Sequence, residues 1–262
     1  MPGETFPIIL DPVFYLAAGL AVTCLGLAKG GFVGFGLVAT PLLALAVSPL
    51  QAAAILLPIM LLQDLISTWT YRRDWDGWNI AVTLPGAVLG IGMAWLIAAS
   101  IPDSYVRLAV GLIALAFALN HWCGRTSTET AARPAAVRGV FWGTVSGFTG
   151  TLANAGGPPF LVHVMPQRLD KLTFVGTMAI FFTVLNAIKL LPFFALGQLS
   201  THNLATSAVL LPLAVATNLL GIRLVRKMPT LLFYKIAYLL VFLISLALIW
   251  QGAAAIFEAE RR

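Results

Sequence analysis

Lys29, Asp64, His163 and Lys189 are the residues that stand out first, because each is an ionisable side chain set within strongly apolar sequence. An ionisable group at membrane depth marks a functional site by default, and it needs a partner there. Lys29 sits in the stretch Gly26 to Leu43, GLAKGGFVGFGLVATPLL, beside Gly30, Gly31, Gly34 and Gly36. Glycine frees a backbone from helical geometry and proline removes an amide donor, so this stretch reads as a break. A second interruption, Asn154-Ala155-Gly156-Gly157-Pro158-Pro159, lies about midway along the chain. Paired breaks in two halves of a polytopic chain point to a transporter's binding site. The chemistry is anion binding: helix N-termini after Gly36 and Gly157 offer amides and a positive dipole end. Lys29 supplies a full charge, and Asn154 is a neutral donor in the corresponding place.

Two further polar sets belong with these. Thr183, Asn186 and Lys189 recur at helical spacing and share one helix face. Gln63 and Asp64 hold a comparable place in the first half, and Asp64 suits either pairing with a lysine or carrying a coupling proton. Its blander reading, slightly favoured, is an interfacial carboxylate beside Arg72 and Arg73. His163 suits a proton shuttle, against the commoner role of a hydrogen-bonded core histidine. Lys29 and Lys189 each have the alternative of snorkelling to the headgroups.

The bulk of the chain explains why these few groups matter. Its 262 residues are 60% hydrophobic and 10% charged, with mean hydropathy +0.93. A soluble domain carries about 25% charged residues, so the chain is an all-α polytopic membrane protein. The net charge of +6 resides in short connections, as in cytoplasmic loops, and calls for no nucleic acid. Cys24 and Cys123 form no metal spacing and no disulfide framework. No basic secretory leader is evident at the N-terminus. No Walker loop, His-Glu-x-x-His or Gly-x-Ser-x-Gly motif is present, which argues against an ATPase, a zinc protease or a serine hydrolase and calls for no cofactor.

In order along the chain, apolar segments are expected at about 11–28, 37–47 (a half-helix), 50–70, 80–99 and 105–122. The second half repeats the plan at about 139–153, 159–165 (a half-helix), 172–196, 203–225 and 230–257. Residues 1–122 form a first repeat, 123–138 a linker and 139–262 a second repeat. Leu84-Pro85 and Ile101-Pro102 recur as Leu211-Pro212 and Met228-Pro229 at one common offset. Gly86, Gly90 and Gly92 allow close helix approach. Loop arginines and lysines then give two inverted repeats, each a broken hairpin plus three spanning helices, with 8 to 10 membrane segments in all and the N-terminus outside.

Gly30-Gly31-Phe32-Val33-Gly34-Phe35-Gly36, then Pro41-Leu42-Leu43 and an Ala-rich helix from Gln51, resembles the sulfite exporter TauE/SafE family, also called the 4-toluene sulfonate uptake permease family. The resemblance covers nearly the whole chain, with Gly156-Gly157-Pro158-Pro159 as a diverged counterpart in which prolines replace part of the glycine run. It implies a small duplicated carrier of the bacterial inner membrane that moves sulfite, sulfonates or related anions. The expected function is secondary-active export of a small sulfur oxyanion by alternating access. The alternative is a proton- or cation-coupled importer of a sulfur-containing or carboxylate anion. Its partners are the anion and the lipid bilayer; the sequence assigns no oligomeric state.

Overall fold

The structure is a computed structural model that describes residues 9, 11–32, 35–36, 39–44, 46–47, 49–97, 102–123, 135–152, 155–195 and 199–260. Every regular element among them is helical. In chain order these are α1 (Pro12–Gly30), α2 (Ala39–Leu43), α3 (Pro49–Thr70), α4 (Gly77–Ile97), α5 (Asp103–Cys123), α6 (Ala136–Leu152), α7 (Gly157–Val164), α8 (Lys171–Ala195), α9 (Thr201–Lys227) and α10 (Thr230–Glu260). Six of them, α1, α3, α4, α8, α9 and α10, contain stretches long and apolar enough to cross a membrane. The apolar part of α5, Ser104–Leu119, is shorter.

Apolar side chains point outward as well as inward. Leu16, Trp69, Leu96 and Trp250 are exposed, whereas Gln63, Asp64, Asn79, Asn186 and Asn218 are buried. That inversion fits a lipid surround, where exposed Leu costs nothing and a polar group must find its partner inside the protein.

The expected helices are present, with two differences at the breaks. α1 runs through Lys29 instead of stopping before it, and ends where Gly31 takes φ 137°. Only glycine adopts that conformation without strain. The half-helix expected over 37–47 is confined to the five residues of α2. Residues 44, 46 and 47 form turns before α3, whose first residue, Pro49, disfavours a helical residue ahead of it. Leu37, Val38, Leu45 and Ser48 lie outside the described residues.

The chain folds as two compact units that draw on both halves of the sequence. One comprises Met1–Arg72 and Phe182–Lys227, the other Arg73–Phe181 and Met228–Arg262. In the first, α1, α2, α3 and α9 share a core that includes Phe14, Leu25, Leu43, Ile55, Ile59 and Leu210. α1 and α9 meet backbone to backbone: a Cβ on Gly30 would lie 2.6 Å from Gly221 Cα, and one on Gly26 2.1 Å from Thr217 Oγ1. In the second unit α4 and α6 meet in the same way. Cβ atoms on Gly86, Gly90, Gly143 and Gly147 would each fall 2.0 to 2.2 Å from a carbonyl oxygen of the facing helix. Among the described residues nothing lies within 4 Å of a Cβ on Gly92, so it takes no part in the α4–α6 contact that its sequence spacing suggests. α5 and α10 form the remaining close pair, with Phe117 stacked on Tyr238 at 5.7 Å.

Candidate functional site: a buried charge cluster at the end of the first helix

α1 delivers Lys29 in its last turn, where a cation also complements the helix dipole. The side chain does not run out to solvent; it is 15% exposed and its Nζ lies 2.7 Å from Asp64 Oδ1. Asp64, on α3, is fully buried. The interfacial reading of Asp64 is therefore corrected. Arg72 is exposed and instead covers the Trp69 ring at 4.4 Å while donating to the Trp69 carbonyl. The partners of Asp64 come from elsewhere in the chain. Asn186 Nδ2, on α8, donates to Asp64 Oδ2 at 2.6 Å. Thr183, one turn earlier, approaches the Asp64 backbone carbonyl at 3.4 Å and shares a 2.8 Å hydroxyl contact with Thr68. Lys189 completes the helix face and interacts electrostatically with both Asp64 and Lys29. Phe182, on the same helix, lies 5.5 Å below the Lys29 ammonium, a cation–π distance.

Thus Lys29, Asp64, Thr183, Asn186 and Lys189, five groups chosen from separate parts of the sequence, converge in one unit. Gln63 does not join them. One residue from Asp64 is about 100° around the helix, and Gln63 turns to α9, donating to the Ala214 carbonyl at 3.2 Å.

The helix break is held from outside by α3. Ser67 donates to the Lys29 carbonyl at 2.8 Å, and Tyr71 to the Gly30 carbonyl at 3.2 Å. These are orphan carbonyls of a helix end, which need such partners when buried. Asn218 of α9 extends the chain by donating to Ser67 Oγ at 3.0 Å. Asn218 escaped sequence reading because an Asn near a polar helix end carries no distinctive signal. Ser67 was open to it, lying three residues after Asp64 and so on the same face.

The glycines expected to line the first break are partly committed. Gly31 N–H donates to the Ala28 carbonyl and Phe32 N–H to the Leu27 carbonyl, closing α1 on itself. Gly36 packs its α-carbon face toward Ala28, while Gly34 lies outside the described residues.

The second break belongs to the other unit. Asn154 lies outside the described residues. Gly156 caps α7, its carbonyl accepting from Ser146 at 2.6 Å, and Gly157 begins the helix. Pro158 and Pro159 follow immediately, so two of the amides that a helix N-terminus normally presents do not exist here. His163 is buried in α7 with its ring stacked on Trp78 at 6.1 Å. The Asn79 and Gln167 side chains exchange two hydrogen bonds of 2.9 Å close by in sequence, and Gln167 also donates to the His163 carbonyl. Cys24 is a free, half-buried cysteine in α1.

The family resemblance rests on the run Gly30 to Gly36, on Pro41-Leu42-Leu43 and on the Ala-rich helix from Gln51, with Gly156-Gly157-Pro158-Pro159 as its diverged counterpart. The family model for sulfite exporter TauE/SafE matches residues 15–248. The chain belongs to the TauE/SafE sulfite exporter family. No curated protein and no solved structure matches it. Membership makes this TauE/SafE chain a multi-pass membrane protein of a transporter family, of the sulfite-exporter type. The matched region contains every member of the Lys29 cluster, the second break and all the long apolar helices in whole or in part.

Proposed function

We propose that the protein is a secondary-active transporter that exports a small sulfur oxyanion, sulfite or an organosulfonate, across a bacterial inner membrane. The observation that carries this reading is the Lys29–Asp64 pair, flanked by Asn186 and Lys189. A buried ion pair is a poor device for stability alone, because desolvation offsets much of its attraction. It is a good device for a site whose charge must be kept covered until a ligand arrives. An oxyanion reaching Lys29 shares the ammonium with Asp64, and Asn186 and Thr183 supply neutral hydrogen-bonding groups beside it. With a negative interior, expelling a monovalent anion is favoured by about 2.3 kcal/mol per 100 mV, so no nucleotide is required.

The two halves work as inverted repeats in this reading, with the N-terminus outside. Helix pairing supports it: α1 opens the first repeat and packs on α9 of the second, while α6 opens the second and packs on α4 of the first. Alternating access then moves one set of helices against the other. The direction test is flux from proteoliposomes. Lys29→Ala is expected to abolish sulfite efflux from correctly inserted protein, and unchanged efflux would overturn the role of Lys29. A buried carboxylate beside the lysine also favours a second reading, proton-coupled import. Accumulation of the anion driven by an imposed inward pH gradient would decide for import.

A further inference from the structure

We propose that the seam between α3 and α9 holds a site for a dehydrated alkali-metal cation, with Gln63 Oε1 and Asn218 Oδ1 as its side-chain ligands. Both side chains are fully buried. Each commits its NH2 group to the facing helix: Gln63 Nε2 donates to the Ala214 carbonyl at 3.2 Å, and Asn218 Nδ2 to Ser67 Oγ at 3.0 Å. These bonds fix which way each amide faces. The Ala214 carbonyl can only accept. Ser67 gives its one proton to the Lys29 carbonyl at 2.8 Å, so toward Asn218 it too must accept. Both amide oxygens are thereby turned away from these contacts, and among the described residues no protein donor reaches either. A buried acceptor left in that condition costs about 1–3 kcal/mol. Here two occur one helical turn apart on the same pair of helices, since Gln63 meets Ala214 and, four residues on in each helix, Ser67 meets Asn218.

The setting favours positive charge. α1 ends here: Ser67 joins its Lys29 carbonyl to Asn218, and a Cβ on Gly26 would lie 2.8 Å from the Asn218 backbone nitrogen. A helix C-terminus is the negative end of the dipole, and in carriers with broken helices such ends help to hold a coupling cation. The side-chain oxygens set the class of ion. An amide oxygen accepts but does not take up a proton near neutral pH, so the ligand is not a proton. Neutral carbonyl oxygens suit a monovalent ion, whereas a divalent ion calls for carboxylates. Asp64, next to Gln63 in sequence, is already engaged with Lys29 and Asn186. That ion pair also offsets the charge of the Lys29 ammonium. The site makes an alkali-cation gradient available to a transport cycle, and it stands whichever anion Lys29 meets.

The test is thermal unfolding of the purified full chain in detergent, titrated separately with sodium, potassium and choline chlorides, so that the anion is common to all three. Sodium or potassium is expected to raise the melting temperature saturably above the choline value, and the more effective of the two identifies the ion. Gln63→Met and Asn218→Ala each remove one ligand oxygen without adding bulk. Each is expected to raise the half-saturating concentration of that ion by about tenfold or more, the order that disturbing even an outer partner costs a metal site. Ser207→Ala is the control. Ser207 ties α9 to the Ile55 carbonyl of α3 elsewhere along the same seam, so S207A is expected to lower stability and leave the cation response intact. A wild-type protein that responds alike to the three salts overturns the proposal; the oxygens then accept from buried water. A wild-type half-saturating concentration in both Q63M and N218A overturns it as well. If only one of these variants folds, that variant decides. If neither folds, the wild-type titration decides: saturable stabilisation over choline supports the site, and a common, non-saturating salt effect overturns it.

Discussion

Replacing Gly30 by alanine tests whether the close contact of α1 and α9 is what positions Lys29. A Cβ at Gly30 would lie 2.6 Å from Gly221 Cα and 2.7 Å from both Gly221 C and Ile222 N. All three are backbone atoms, so no side chain can swing away to make room. Ordinary contact begins near 3.4 Å, and the two helices must separate by most of an ångström at that point. Overpacking of this kind costs about 1–3 kcal/mol, offset by the roughly 0.5–1 kcal/mol that alanine gains over glycine within a helix. A fall in melting temperature on the order of 5 °C in detergent is expected. Gly92→Ala is the matched control, since among the described residues nothing lies within 4 Å of the added methyl; it is expected to be neutral or slightly stabilising. The displaced helix end also carries the Lys29 carbonyl, held by Ser67, and the Lys29 ammonium, held 2.7 Å from Asp64. G30A is therefore expected to weaken anion-induced stabilisation as well, whereas G92A leaves it intact. A G30A protein as stable as G92A, with wild-type anion response, would refute the link between helix approach and site geometry.

Other expectations follow from single contacts. Gln167→Leu takes the Gln167 donor from the buried Asn79 side-chain oxygen, while the Asn79 NH2 keeps Asp76, and is expected to cost about 1–3 kcal/mol by thermal melting, with Asn79→Leu in the same chain recovering part of the loss. Thr183→Val removes the hydroxyl shared with Thr68 and is expected to cost about 1 kcal/mol and to weaken, without abolishing, anion-induced stabilisation, because the Lys29–Asp64 pair stays formed. In a C24A/C123A background, Ser200→Cys is expected to react with an impermeant maleimide from outside intact cells, and Asp74→Cys only after permeabilisation. The reverse labelling pattern would invert the topology assigned from loop charge.

The fold was legible because the membrane imposes so few solutions: long apolar runs must be helices, and glycine and proline mark where they stop. Boundaries of α3, α8 and α10 follow from composition within a few residues. The site was legible in part. Lys29 draws attention as a charge in apolar sequence, and Asn186 and Lys189 as polar residues at helical spacing. Asp64 was misjudged because sequence proximity favoured Arg72 and Arg73, eight and nine residues away and thus about 12 Å or more along α3. Its real partners lie 35 and 122 residues distant, on α1 and α8, where only tertiary packing brings them. The same limit hid Asn218, whose role depends on α9 lying against α3. Gly92 shows the converse error: glycine spacing advertises a contact face, yet only Gly86 and Gly90 of the three face α6.

The end of α1 has a bearing on how this gene can drift. Gly30 has no room for a methyl group, and Gly31 adopts a backbone angle that side-chain-bearing residues avoid. Two adjacent codons are thereby closed to almost every missense change, for unrelated reasons, immediately beside the lysine. Gly92, equally a glycine, is under neither restriction. Among natural variants of this chain, the Gly30-Gly31 doublet is expected to persist through divergence that has already replaced Gly92, so that sequencing of distant relatives reads out the packing of α1 without any structure being determined.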